Sequence, residues 1–178
     1  KDELDDFYGN LGEIYKDNVD IILCESMSSI FEGSNASRVA KEFSERVWLS
    51  WTNRGHQPDQ LPSTEALSKA VDFSIEADVE CTLINCSHAD MASNSIKELK
   101  RASRFGIFAN SSTFKEVDLS IATKDVDAIH HLNSEKISAK EYAMIALSWA
   151  KEGAYVVGGC CGTTVEHTRE IKLLMDSL

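Results

Sequence analysis

The chain is poor in proline, short of basic residues and without a long apolar run, and each shortage closes off a class of function. Only two prolines occur in 178 residues, and no Gly/Ser-rich stretch interrupts them. Nothing marks a linker, so residues 1–178 read as a single domain. Lys plus Arg number 18 against 29 Asp plus Glu, and the resulting net charge of −11 repels phosphate backbones and anionic lipid surfaces. Nucleic-acid and membrane binding are thereby disfavoured. No apolar run approaches the ~20 residues that cross a bilayer, and the acidic start lacks the basic and apolar regions of a signal peptide. No G-x-G-x-x-G turn follows a strand-like segment, which argues against a Rossmann sheet, and no G-x-S-x-G elbow supports a Ser-His-Asp hydrolase. Five cysteines, an odd number with two adjacent, fit a reducing cytoplasm and metal or catalytic use better than a disulfide framework.

What the chain does have is a 43% hydrophobic fraction with a clear alternation of periods. Leu4, Phe7, Tyr8, Leu11, Ile14 and Tyr15 recur at steps of three and four, which predicts an amphipathic helix. Val19–Cys24 is a short apolar run suited to a strand buried on both faces. A helix through Ala36, Val39, Ala40 and Phe43 leads to a strand at 47–52, and the order repeats. Leu67, Ala70, Val71 and Ile75 mark a helix, 81–85 a strand, Ile96, Leu99 and Ser103 a helix, and 106–109 a strand. Residues 111–137 are polar and carry no clear period. Tyr142, Ile145, Ala146, Trp149 and Ala150 form a strong helical face, with Gly153 placed as its C-terminal cap. A strand at 154–157, a turn at 158–164 and a helix over 165–178 complete the chain. Strands alternating with helices predict an α/β class with a parallel sheet and right-handed crossovers. An open sheet and a closed barrel both satisfy that pattern, although a complete eight-unit barrel needs about 250 residues.

Two segments carry chemistry. Gly158-Gly159-Cys160-Cys161-Gly162-Thr163-Thr164 lies between a strand and a helix, and Ile84-Asn85-Cys86-Ser87-His88 ends another strand. Neighbouring strand residues point to opposite faces, so adjacent cysteines share one ligand point only where flanking glycines let the backbone turn. In a parallel barrel the C-terminal strand ends converge, which would bring Cys86, Cys160 and Cys161 to one mouth. Three thiolates suit zinc and leave a fourth position for substrate; the plainer reading is three packed thiols, the reading adopted for Cys24 and Cys81. His88 is expected in a supporting role, His56, His130 and His131 in solvated loops, and His167 facing solvent or the rim.

The 158–164 segment with Glu166-His167 closely resembles the signature of the zinc-dependent homocysteine S-methyltransferase family, and residues 84–88 resemble its other cysteine motif. Their order and separation match as well. The resemblance covers essentially the whole chain and looks like the C-terminal part of a (β/α)8 TIM-type barrel, about five β/α units. It implies zinc on Cys86, Cys160 and Cys161, transfer of a methyl group to the homocysteine thiol to give methionine, and a cytoplasmic setting. It also implies that Glu25 holds the amino group of homocysteine, where a capping or solvated carboxylate is the plainer alternative. Asn85 either orients or binds substrate or satisfies nearby backbone groups. The methyl donor stays open among S-methylmethionine, S-adenosylmethionine, betaine and methylfolate. Val165 and Ala89 stand where the family commonly has proline, and the family's first three strands, with an Asp-Gly-Gly substrate contact, have no counterpart. A partial barrel leaves two sheet edges for a homodimer partner or a missing N-terminal segment, and a non-catalytic zinc-binding partial barrel is the alternative function.

Overall fold

Short β-branched and aromatic runs separated by amphipathic stretches give this computed structural model its order. It describes residues 2–55, 57–114 and 134–177. The elements are α1 (Asp2–Tyr15), β1 (Ile22–Met27), α2 (Ile30–Ala40), β2 (Val47–Trp51), α3 (Leu67–Glu76), β3 (Cys81–His88), α4 (Ala89–Asn94), α5 (Ile96–Leu99), β4 (Phe105–Asn110), β5 (Ser112–Phe114), β6 (Ser134–Lys136), α6 (Ala139–Lys151), β7 (Val156–Gly159) and α7 (Val165–Met175). Local chemistry sets several boundaries. The Ser29 hydroxyl accepts from the Glu32 N–H at the start of α2, and Ser138 with Glu141 closes a reciprocal capping box on α6. Gly153, at φ +98°, takes the left-handed turn beyond α6.

Five strands form one sheet in the order β1-β2-β3-β4-β7, every neighbouring pair parallel. β5 and β6 pair antiparallel as a separate ribbon. Alternation then divides the side chains. Leu49, Trp51, Ile84, Ile107 and Ala109 are fully buried in the core. Trp51 shows why the helices sit close: a Cβ on Gly33 of α2 would stand 2.4 Å from its ring, and its Nε1 donates to Ser74 Oγ of α3 at 3.0 Å. The intervening residues Leu23, Trp48, Leu83, Phe108 and Val156, one from each strand, line a shallow cavity of about 270 Å³ on the opposite, open face. At the N-terminal ends of the strands, Glu80 bonds both Arg46 and Arg104 at 2.9 Å, remote from the strand ends that carry the site.

Several boundaries differ from the sequence expectation. β1 begins at Ile22 and runs on to Met27, so Glu25 lies within the strand rather than at its end. Its pairing with β2 shifts between Cys24 and Met27, both buried, and Ser26 between them has φ +61°. That is a bulge, one extra residue that breaks the two-residue period. α2 stops at Ala40, and Phe43 beyond it packs against Gly12 of α1. The expected helix at 96–103 is only Ile96–Leu99, preceded by α4 directly after β3. β7 starts two residues later than expected and includes both glycines. Residues 112–114 and 134–136 are strand, while 115–133, with His130 and His131, and also His56, lie outside the described residues.

Candidate metal centre

β3 and β7 both flank β4, so their ends stand two strand spacings apart, roughly 10 Å. Bringing their cysteines into contact therefore requires both chains to leave extended geometry. Cys86 does so at φ +51°, where the β3–β4 register also shifts. On the other side, the end of β4 grips the Cys160-Cys161 turn. Cys160 N–H donates to the Ala109 carbonyl at 2.8 Å, Cys161 N–H to Asn110 Oδ1 at 3.1 Å, and Ser111 N–H to the Cys161 carbonyl at 3.0 Å. Thr163 Oγ1 donates back to the Cys160 carbonyl at 2.7 Å. The glycines leave no room for substitutes: at Gly159 a Cβ would stand 2.5 Å from the Thr163 side chain, and Gly162, at φ +78°, lies against Ser111 Oγ. Beneath the turn, the buried Tyr142 hydroxyl sits 2.7 Å from the Ala109 carbonyl and 2.8 Å from that of Gly158, its single proton shared between the ends of β4 and β7.

The result is a cluster of three sulfurs. Cys86 Sγ is 3.6 Å from Cys161 Sγ, Cys161 Sγ is 4.0 Å from Cys160 Sγ, and all three lie within 4.8 Å of one another. Thiolates at about 2.3 Å from a tetrahedral zinc stand roughly 3.8 Å apart, so the observed spacing fits that ion. Among the described residues this is the one such group of three metal-ligating side chains. The neighbouring thiols also polarise one another: interaction with Cys86 lowers the pKa of Cys160, while interaction with Cys160, together with burial, raises that of Cys86. One sulfur of the cluster is thus already inclined toward the thiolate that a metal requires. Burial alone pushes Cys24 up to about 11 and Cys81 up to about 12, the behaviour of packed thiols.

The other sequence candidates fall at different distances from this cluster. Glu25 is exposed, two residues beyond the open-face residue Leu23. Asn85 adjoins Cys86 and is fully buried; its Oδ1 accepts from Ser26 N–H at 2.9 Å and Ser50 Oγ at 2.6 Å, and its Nδ2 donates to Ser26 Oγ at 2.7 Å. His88 is buried, with Nδ1 2.9 Å from Ser112 Oγ and its ring edge-on to Phe114. His167 departs from expectation. It is buried against Tyr142, and its Nδ1 accepts from Thr164 N–H at 3.1 Å, so it caps α7 instead of facing solvent. The holding residues Asn110 and Tyr142 had no motif to announce them: Asn110 follows an apolar strand, and Tyr142 reads as one more apolar position of its helix.

Comparison with known proteins agrees with this fold. The family model described as homocysteine S-methyltransferase matches residues 1–175. Homocysteine S-methyltransferase YbgG of Bacillus subtilis is 25% identical over 182 residues, covering 100% of this chain and 54% of that protein. The apo form of the Escherichia coli homocysteine methyltransferase MmuM superposes with a TM-score of 0.68 at 17% identity, over 97% of this chain and 56% of that one. Its metallated form gives 0.67 at 17% identity, over 96% and 52%. The parallel sheet thus corresponds to about half of the MmuM TIM barrel, and the chain spans about half the length of these relatives. Among the described residues no helix is long and apolar enough to cross a membrane.

Proposed function

Because the chain belongs to the homocysteine S-methyltransferase family, we propose that it is the C-terminal, zinc-bearing part of an enzyme that methylates the thiol of homocysteine to give methionine. The observation that carries this reading is the meeting of three sulfurs from two separate strand ends at zinc-like spacing. Zinc, when bound there, holds an incoming thiol as its thiolate at neutral pH. The chain's residues do the rest. Cys86, Cys160 and Cys161 supply three ligands and leave one place for substrate. Glu25 takes the ammonium of homocysteine through a charge-assisted hydrogen bond, so the site selects an α-amino thiol over a simple thiol. S-methylmethionine or S-adenosylmethionine suits such a site, since a new S–CH3 bond forms as the donor's breaks and a neutral thioether leaves without a proton; betaine and methylfolate are the other candidates. Three unoxidised thiols are compatible with the reducing cytoplasm.

The coverage of about half of each relative favours one second reading, a non-catalytic zinc-binding partial barrel. Zinc-loaded chain titrated with homocysteine, then incubated with homocysteine and each donor in turn, separates the two. Saturable binding with methionine formed from any donor supports the enzyme. Bound zinc without affinity for homocysteine refutes it and leaves the second reading.

A further inference from the structure

Asn85 makes its contacts sideways into the sheet. A backbone N–H only donates, so the atom 2.9 Å from Ser26 N must be the amide oxygen, and this fixes the orientation of the whole group. Oδ1 then also takes the Ser50 hydroxyl at 2.6 Å, and Nδ2 meets Ser26 Oγ at 2.7 Å. One amide thus joins the ends of three adjacent strands. Its strongest hold is on Ser26, gripped through both its N–H and its hydroxyl.

Ser26 is an unusual residue to grip. At φ +61° it adopts a left-handed conformation that a serine occupies at a cost, and it sits at the bulge of β1. Regular alternation would place Cys24 and Ser26 on one face. Instead Cys24 and Met27 are buried, and Glu25 and Ser26 are both exposed. Alternation holds through Glu25, which is exposed like Leu23, and breaks at the very next residue; the bulge therefore anchors the backbone directly after Glu25, and Asn85 holds the bulge. The same Asn85 directly precedes the zinc-ligand candidate Cys86, itself at φ +51°.

We propose that Asn85 is a positioning residue, which locks the Ser26 bulge and through it fixes Glu25 relative to the cysteine cluster, rather than a direct substrate contact. This rests on the reading of Glu25 as the holder of the homocysteine ammonium. The affinity ratio between homocysteine and 4-mercaptobutanoate, the same thiol without its amine, reads the position of Glu25, whereas general damage to the site lowers both affinities together. Calorimetric titration of the zinc-loaded chain, with zinc content measured, gives this ratio without turnover.

Glu25→Gln is expected to lower the ratio roughly tenfold or more, the worth of a hydrogen bond to a charged group. Asn85→Ala should lower it several-fold, and the double variant should fall little below Glu25→Gln alone, because both changes break one chain of contacts. Ser26→Gly, which removes the hydroxyl but tolerates the left-handed backbone, should act in the same direction and more weakly; it carries the test if Asn85→Ala does not fold. Faster amide exchange at Ser26 in Asn85→Ala should report the released bulge without any substrate. Effects of Glu25→Gln and Asn85→Ala that multiply in the double variant would show an independent contact by Asn85 and overturn the proposal. A ratio lowered by Glu25→Gln and untouched by both other variants overturns it too. A ratio that Glu25→Gln leaves unchanged overturns the assignment of Glu25 itself, and the positioning role with it.

Discussion

Tyr142→Phe isolates the clamp beneath the cysteine turn. The substitution keeps the ring, and so the edge-on contacts with Trp149 and His167, each at 5.7 Å between centroids, and removes one buried hydroxyl. That hydroxyl lies between the carbonyls of Ala109 and Gly158. Ala109 O keeps a second partner in Cys160 N–H at 2.8 Å, so that carbonyl is not orphaned. The expected loss is that of one shared buried hydrogen bond, about 1–2 kcal/mol. For a domain of this size each kcal/mol moves Tm by roughly 2–4 °C, so thermal unfolding should fall by roughly 2–8 °C. The two carbonyls belong to β4 and β7, and Ala109 is also the residue that orients Cys160. Zinc should therefore raise Tm less in the variant than in the parent at equal metal concentration, since stabilisation by a ligand follows its affinity for the folded state. Differential scanning calorimetry with and without zinc measures both quantities. An unchanged Tm together with an equal zinc-induced rise would refute the clamp.

Metal analysis of protein purified under reducing conditions should find one zinc per chain, removable by chelation; full zinc content in Cys86→Ala would exclude that residue from the ligand set. Iodoacetamide at neutral pH should modify metal-free protein first at Cys160, whose pKa is lowered, and leave Cys24 and Cys81 unmodified until unfolding, as peptide mapping would show. Those two buried thiols have folded-state pKa values raised from 9.0 to about 11 and about 12, so the folded state binds their protons more tightly. Stability is then complete below about pH 9 and lost as pH climbs through 11 and 12, a decline that denaturant titrations at stepped pH should record. Among the described residues β1 and β7 are the outer strands of the sheet, each with no further strand beside it, so sedimentation should show concentration-dependent association, and a well-dispersed monomer would count against open edges.

Periodicity located the elements because burial is periodic, and it misplaced boundaries wherever another force ruled. The strand at 19–24 reads from its apolar letters, yet β1 extends through Glu25, Ser26 and Met27, because pairing with β2 and the bond to Asn85 hold polar residues in line. α4 has no apolar face long enough to announce it and is fixed instead by Trp149, whose Nε1 donates to Ser93 Oγ at 2.7 Å. The cysteine cluster was legible, since a glycine-flanked cysteine pair after one strand and a cysteine at the end of another can meet where parallel strand ends converge. His167 was not: its place in a first helical turn reads as solvent-facing, and only the tertiary neighbour Tyr142 makes a capping imidazole the better partner for Thr164 N–H.

The site is assembled from departures from regularity, and they share one level of the sheet. Ser26 ends the useful part of β1 at φ +61°, Cys86 breaks β3 at φ +51°, and Gly162 turns the loop after β7 at φ +78°. Each left-handed residue redirects the chain where an extended strand would carry alternate side chains to opposite faces. For the two that are not glycine this conformation costs about 1–2 kcal/mol apiece, so a specific contact must hold it. Asn85 supplies that contact at Ser26. At Cys86 the strand is fastened by the next residue, Ser87, whose hydroxyl accepts from Asn53 N–H at 2.9 Å and donates to the Asn85 carbonyl at 3.0 Å. Asn85 and Ser87 therefore bracket the cysteine, one tied to β1 and the other to the segment after β2. The strain at Cys86 is held from both sides, which fixes the direction of its sulfur before any metal arrives, and a preformed ligand set loses less entropy when it closes on an ion.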